Sequence, residues 1–162
     1  MEDTVVSDER IEVQRLIPAS PEAIFAIVSD PQGHVAIDAS GMLMGASGEP
    51  ATKVDDTFVV FMDRESLNDI PLGKYEVSVR IVTFEKDREI AWVVEHPLMN
   101  PPMGHVYGYR LEPVEGGTMT TSYYDWSNLH EHWRARTSFP IIAEPTIRAT
   151  LGILARTVAP QH

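Results

Sequence analysis

The 162-residue sequence predicts an α+β fold in which a run of antiparallel strands is followed by one long terminal helix. Three observations carry that reading. Alternating apolar and polar residues recur in successive segments between residues 57 and 126, with no helical period between them, which argues against an alternating α/β domain. Ile147, Leu151, Leu154 and Val158 then recur at helical spacing. Near the start, Ser20-Pro21-Glu22 is a helix opening: serine accepts an orphan amide hydrogen bond, proline suits the first turn, and the acid meets the positive helix end.

In chain order, residues 1–9 are polar and read as a flexible lead, and residues 10–159 form the single domain. IEVQRLI is a first strand with Ile11, Val13 and Arg15 on one face and Glu12, Gln14 and Leu16 on the other. The helix after Ser20 presents Ile24, Ile27 and Val28 inward, with Phe25 beside them, and Asp30-Pro31 ends it because a residue before proline disfavours helical geometry. A second short helix covers residues 32–38. A glycine-punctuated strand follows around Met42, Leu43 and Met44, then TFVVFMD, a loop at 65–71, and KYEVSVRIVTF, whose Tyr75, Val77, Val79 and Ile81 oppose Glu76, Ser78 and Arg80. Strands at 89–95, 105–112 and 118–126 bring the expected sheet to six or seven strands, the last two joined by a turn whose paired glycines can adopt positive φ. Pro145 fits a helix only in its first turn, which places the terminal helix at 144–158, after a loop or short helix over 127–143.

Composition narrows the function. Thirteen Lys and Arg against 24 Asp and Glu give a net charge of -11, which repels nucleic-acid phosphates and anionic membrane surfaces. The chain has no cysteine, so disulfides, thiolate nucleophiles and cysteine-based metal sites are excluded. No apolar run approaches the roughly 20 residues of a membrane span, and the acidic N-terminus lacks the apolar segment of a signal peptide. The expectation is a soluble, cytoplasmic monomer or homodimer with no stable membrane insertion, no nucleic-acid partner and no cofactor. No phosphate-binding glycine loop, serine triad or calcium loop is present. His130-Glu131-His132 lacks the one-turn spacing of a zinc-binding HExxH pair and reads as a capping or solvated segment, so no metal is expected.

What remains points to a pocket. Two-residue spacing puts Trp92 with His96, and Tyr107 with Tyr109, on single faces of neighbouring strands, where rings can wall an apolar cavity and hydroxyls can orient a bound carbonyl or hydroxyl. Phe61 joins these rings as a candidate contact, with Met62, Met99 and Met103 as adaptable cavity or entrance surfaces and Phe139 and Ile142 closing the mouth beneath the terminal helix. His96 and His105, at the ends of adjacent strands, are the candidate proton-transfer groups. Arg110 alternates with the two tyrosines and should face outward, and Asp125 should lie on the opposite side of its strand from Trp126.

The order of elements and several phrases resemble the START/Bet v 1-like (SRPBCC) superfamily, in particular its polyketide cyclase/dehydrase and lipid-transport branch. The resemblance spans about residues 10–159 and rests on PASPEAIFAIVSDP, on the turn Gly116-Gly117-Thr118 before the last strand, and on Tyr124-Asp125-Trp126-Ser127. It departs at His34-Val35-Ala36-Ile37-Asp38, where many relatives carry a tryptophan, and at Asp56, where relatives often have glycine. The resemblance implies a helix-grip fold, a curved sheet around the terminal helix enclosing an apolar cavity. For function it implies binding of a small hydrophobic or aromatic metabolite. The alternatives are a polyketide cyclase, aromatase or dehydratase acting through a polar residue at the cavity, and a protein-interaction or chaperone-regulator module.

Overall fold

The Ser20 hydroxyl accepts a hydrogen bond from the Ala23 amide at 3.2 Å and Pro21 takes the first helical position, so the chain leaves strand β2 (Arg10–Ile17) and enters α1 (Pro21–Val28). Asp30 repeats the device, accepting from the Gln32 amide at 3.0 Å while Pro31 opens α2 (Pro31–Ile37). The second helix therefore starts at the proline that ends the first. A Cβ on Gly33 would lie 1.9 Å from the Ile27 carbonyl oxygen, so only glycine lets α2 fold back onto the last turn of α1. Gly33→Ala should cost about 1 to 3 kcal/mol through overpacking. A lowered urea midpoint checks this, and an unchanged midpoint would contradict the close approach.

In this computed structural model, which describes residues 2–6, 8–67 and 73–159, the remaining elements are β1 (Glu2–Val6), β3 (Leu43–Ser47), β4 (Thr57–Asp63), β5 (Lys74–Glu85), β6 (Glu89–Glu95), β7 (Val106–Val114), β8 (Gly117–Asp125), α3 (Glu131–Arg134) and α4 (Glu144–Val158). They form a curved antiparallel sheet in the order β1-β2-β8-β7-β6-β5-β4-β3. Register shifts at Leu43/Gly45 and Ile81/Thr83 interrupt its regular pairing, as bulges that bend strands do. The seven expected strands are present, and the eighth corrects the reading of residues 1–9: Glu2–Val6 pairs with β2, Thr4 opposite Val13. Its β-branched Thr4-Val5-Val6 run suits an edge strand, a signal outweighed in the sequence by the acidic residues around it. The expected loop at 65–71 lies partly outside the described residues.

Alternation sorts the sheet's two faces. Phe58 and Val60 of β4, Val77, Val79 and Ile81 of β5, Ile90 of β6, Tyr109 and Leu111 of β7 and Tyr124 of β8 are buried on the concave side. The helix α4 lies across that side near β2 and β8, burying Ile147, Leu151, Leu154 and Ala155, with Val158 partly buried. In α1 the buried stripe is Pro21, Ile24, Phe25 and Val28, so Phe25 rather than Ile27 fills the core position. The arrangement is a helix-grip fold.

On the convex face, Gly108 leaves room for Tyr123, whose ring would meet an added Cβ at 2.3 Å. Arg10 and Arg110 lie 4.6 and 5.3 Å from the centre of that ring, and its hydroxyl donates to Glu89 at 2.6 Å. Arg110 donates to Glu12 at 3.0 Å and Arg10 to Asp125 at 2.8 Å, which fixes both expected outward residues in one charge network. Burial alone would raise the Glu12 and Asp125 carboxyls. Hydrogen bonds from Arg10 and Arg110 to Glu12, and from Ser127 and Arg10 to Asp125, instead hold both below the usual carboxylate range.

Candidate functional site

Between α2, α4 and strands β4 to β8 lies a cavity of about 160 Å³. One wall is aromatic, and strand register builds it. Trp92 sits opposite Tyr107 across β6 and β7, Tyr107 sits opposite Tyr124 across β7 and β8, and side chains in register on one face are neighbours. Tyr107 stacks on Trp92 with ring centres 6.0 Å apart, Tyr109 stacks on Trp92 at 5.9 Å, and Tyr124 stacks on Tyr107 at 4.5 Å. Val60, Met62, Val79 and Val94 continue the wall, while Ile142 and Ile147 close it from the α4 side.

The opposite wall comes from α2 and the turn after it. His34 meets Trp92 edge-on at 4.6 Å and Phe58 at 5.3 Å, and its Nε2 lies 2.7 Å from the Val28 carbonyl oxygen. A carbonyl only accepts, so Nε2 carries the proton and Nδ1 is the ring's acceptor. Burial lowers the His34 pKa against the opposing pull of the Val28 bond and Asp30, which favours the neutral ring. Asp38 also lines the cavity, with Oδ1 accepting from the Ser40 amide and hydroxyl at 2.9 and 2.6 Å and Oδ2 from the Leu43 amide at 3.1 Å.

A chain of rings runs from the cavity into the core. Tyr124 stacks on Tyr107, which lines the cavity, and the Tyr124 hydroxyl is 2.8 Å from His105 Nδ1. Nδ1 of His105 is therefore engaged by Tyr124, and the remaining ring nitrogen is Nε2. That atom is buried and has no hydrogen-bond partner. Burial pushes the His105 pKa down to about 4, and burial also holds Tyr107 well above the ordinary tyrosine range and Tyr124 at about 12.

The sequence-expected residues therefore divide. Trp92, Tyr107, Tyr109, Met62 and Ile142 line the cavity. Phe61 does not: it follows inward Val60 and precedes inward Met62, so it faces out and is 42% exposed. His96 lies past the end of β6, in a turn where Nδ1 accepts from the Leu98 amide at 3.0 Å, and with Met99 it borders a separate surface groove. Met103 packs against the core and its carbonyl accepts from the His130 amide at 2.9 Å. Phe139 packs edge-on against His105 at 6.1 Å, away from the cavity lining. His105 itself reaches the cavity only through Tyr124 and Tyr107. His130 caps α3, accepting from the His132 amide at 3.1 Å, and no group of three His, Asp or Glu residues among the described residues is placed to hold a metal.

The residues missed from the sequence are those of the α2 wall: His34, Asp38 and Ser40. His34 and Ile37, three apart in a helix, share a face, and Ile37 is buried, which was the available signal.

No protein-family model and no curated protein matches the sequence. Solved structures do match in shape. A Mycobacterium smegmatis protein superposes with a TM-score of 0.67 at 14% identity, covering 99% of this chain and 98% of its own. A Rhodobacter sphaeroides protein gives 0.65 at 18% identity, covering 99% of this chain and 100% of its own. The Aha1 dimer from Colwellia psychrerythraea gives 0.60 at 19% identity, covering 92% and 95%. At such identities the likeness shows the helix-grip fold alone. No helix among the described residues is long and apolar enough to cross a membrane.

Proposed function

We propose that the chain reversibly binds a small hydrophobic or aromatic molecule in this cavity. The observation that carries the reading is the cavity of about 160 Å³ walled by the stacked rings of Trp92, Tyr107 and Tyr109. An apolar cavity near 150 Å³ accommodates benzene, whereas drug-sized ligands occupy roughly 300 to 1,000 Å³. The size matches a one-ring molecule better than a multi-ring polyketide or a long acyl chain.

Binding is favoured over proton-transfer catalysis by the state of this chain of rings. A histidine with a pKa of about 4 is a weak base at neutral pH, and tyrosines held above their usual range are weak acids. The Tyr124–His105 contact at 2.8 Å orients the buried Tyr124 hydroxyl. The likeness to an Aha1 dimer has no counterpart in this cavity that would favour a protein partner over a small molecule.

Native mass spectrometry after mild purification, followed by calorimetric titration with one-ring aromatics and short lipids, tests the reading. The expected result is one-to-one binding of one-ring compounds that disappears in Val60→Phe, which puts a ring into the cavity. Binding unchanged in folded Val60→Phe, or no uptake of any member of such a panel by the native protein, would overturn it.

A further inference from the structure

We propose that the cavity selects a one-ring ligand that donates a hydrogen bond, and that His34 Nδ1 is the acceptor that recognises it. This rests on the binding reading above and adds the chemical class of the ligand. Acceptors with unused lone pairs follow from bonds already described. The His34 tautomer is set by the Val28 carbonyl, and no described residue donates to Nδ1. The Tyr107 hydroxyl lies on the same wall. Each Asp38 oxygen has lone-pair capacity beyond the bonds from Ser40 and Leu43. Tyr109 supplies a further hydroxyl to the wall.

Position singles out His34 among these acceptors. Its ring touches Trp92 edge-on at 4.6 Å, on the same indole that Tyr107 and Tyr109 flank by stacking. A ligand ring lying against Trp92 thus has an imidazole at its edge, where a phenol hydroxyl or a ring N–H projects. A ligand without a donor would leave Nδ1 buried and unpaired, which is how a polar site rejects an apolar isostere.

Phenol and toluene, nearly equal in size, separate the possibilities. Calorimetry on the wild type should give phenol an affinity at least about tenfold above toluene, although an apolar site lacking an acceptor favours toluene. In His34→Phe the margin should vanish while toluene binding persists. In nitrogen-15 NMR of the wild-type protein, the His34 Nδ1 resonance should move on adding phenol and stay fixed on adding toluene, a readout independent of whether the variant folds. Equal binding of the two compounds would overturn the donor rule and leave the binding reading standing. A phenol preference with an unmoved Nδ1 resonance would overturn the assignment to His34. Absence of binding by both would remove the binding reading and this inference together.

Discussion

Leu151→Ala should lower the unfolding free energy by about 2 to 5 kcal/mol, the range for emptying a packed core position. Leu151 is 1% exposed in the middle of α4, with Leu154 at 0% one turn on, so both sit where the helix is gripped by the sheet. Transfer of one leucine from water accounts for about 2 kcal/mol, and the rest depends on how far the site collapses around the void. The site has little freedom to do so, because β2 and β8 beneath α4 are interior strands of the sheet, each paired on both sides. Urea unfolding of wild type and variant measures the difference. A shift below about 1 kcal/mol would mean that α4 is held chiefly by its ends and not by this stripe.

Stability should fall by about 3 kcal/mol as the pH drops from about 6.5 to about 4, with His105 as the main cause. In the unfolded chain this histidine binds a proton near its ordinary pKa of about 6.5. In the folded protein burial holds it neutral down to about 4. Between those values the unfolded state binds more protons than the native state, so acid draws the equilibrium toward unfolding, and the loss is complete below about 4. His34, also lowered by burial, adds in the same direction. Glu12 and Asp125 act lower still: their carboxyls are held below the ordinary range, so their contribution is lost only as the pH passes below the usual carboxylate values. His105→Gln does not titrate, and its amide can still accept from Tyr124. The variant should show a markedly shallower decline of stability from pH 6.5 to 4, and an unaltered slope would contradict the burial of His105.

The strands were legible because a half-buried strand writes its two faces into alternate residues, as Tyr75 to Ile81 do. The α4 boundaries were legible because proline is tolerated in few helical positions. The aromatic half of the cavity followed from the same rule, since Tyr107 and Tyr109 cannot be on one strand face without being neighbours. That rule also explains the misplacement of Phe61: Phe61 and Met62 are adjacent in one strand, so they could not both face the cavity, and its aromatic character outweighed its phase. His96 had the right phase with Trp92, but its strand ends at Glu95, and phase means nothing in a turn. Phe139 and Met103 lie in connections with no period at all. The α2 wall was hidden for a different reason. In a seven-residue helix, the side facing the sheet depends on how α2 folds back on α1, and Gly33 governs that step through one backbone contact.

The edge strand β1 is fastened to the helix that closes the cavity. The Thr4 hydroxyl donates to Glu144 at 3.2 Å, Arg148 donates to Thr4 at 2.6 Å, and Arg148 pairs with Glu144 within the first turns of α4. Ile147, near that end of the helix, and Ile142, just before it, close the cavity. The N-terminal strand is thus tied, through Thr4, to the end of α4 whose inner side faces the cavity. Because coupling between two sites is reciprocal, a ligand that steadies this end of α4 steadies its contact with Thr4 to the same degree.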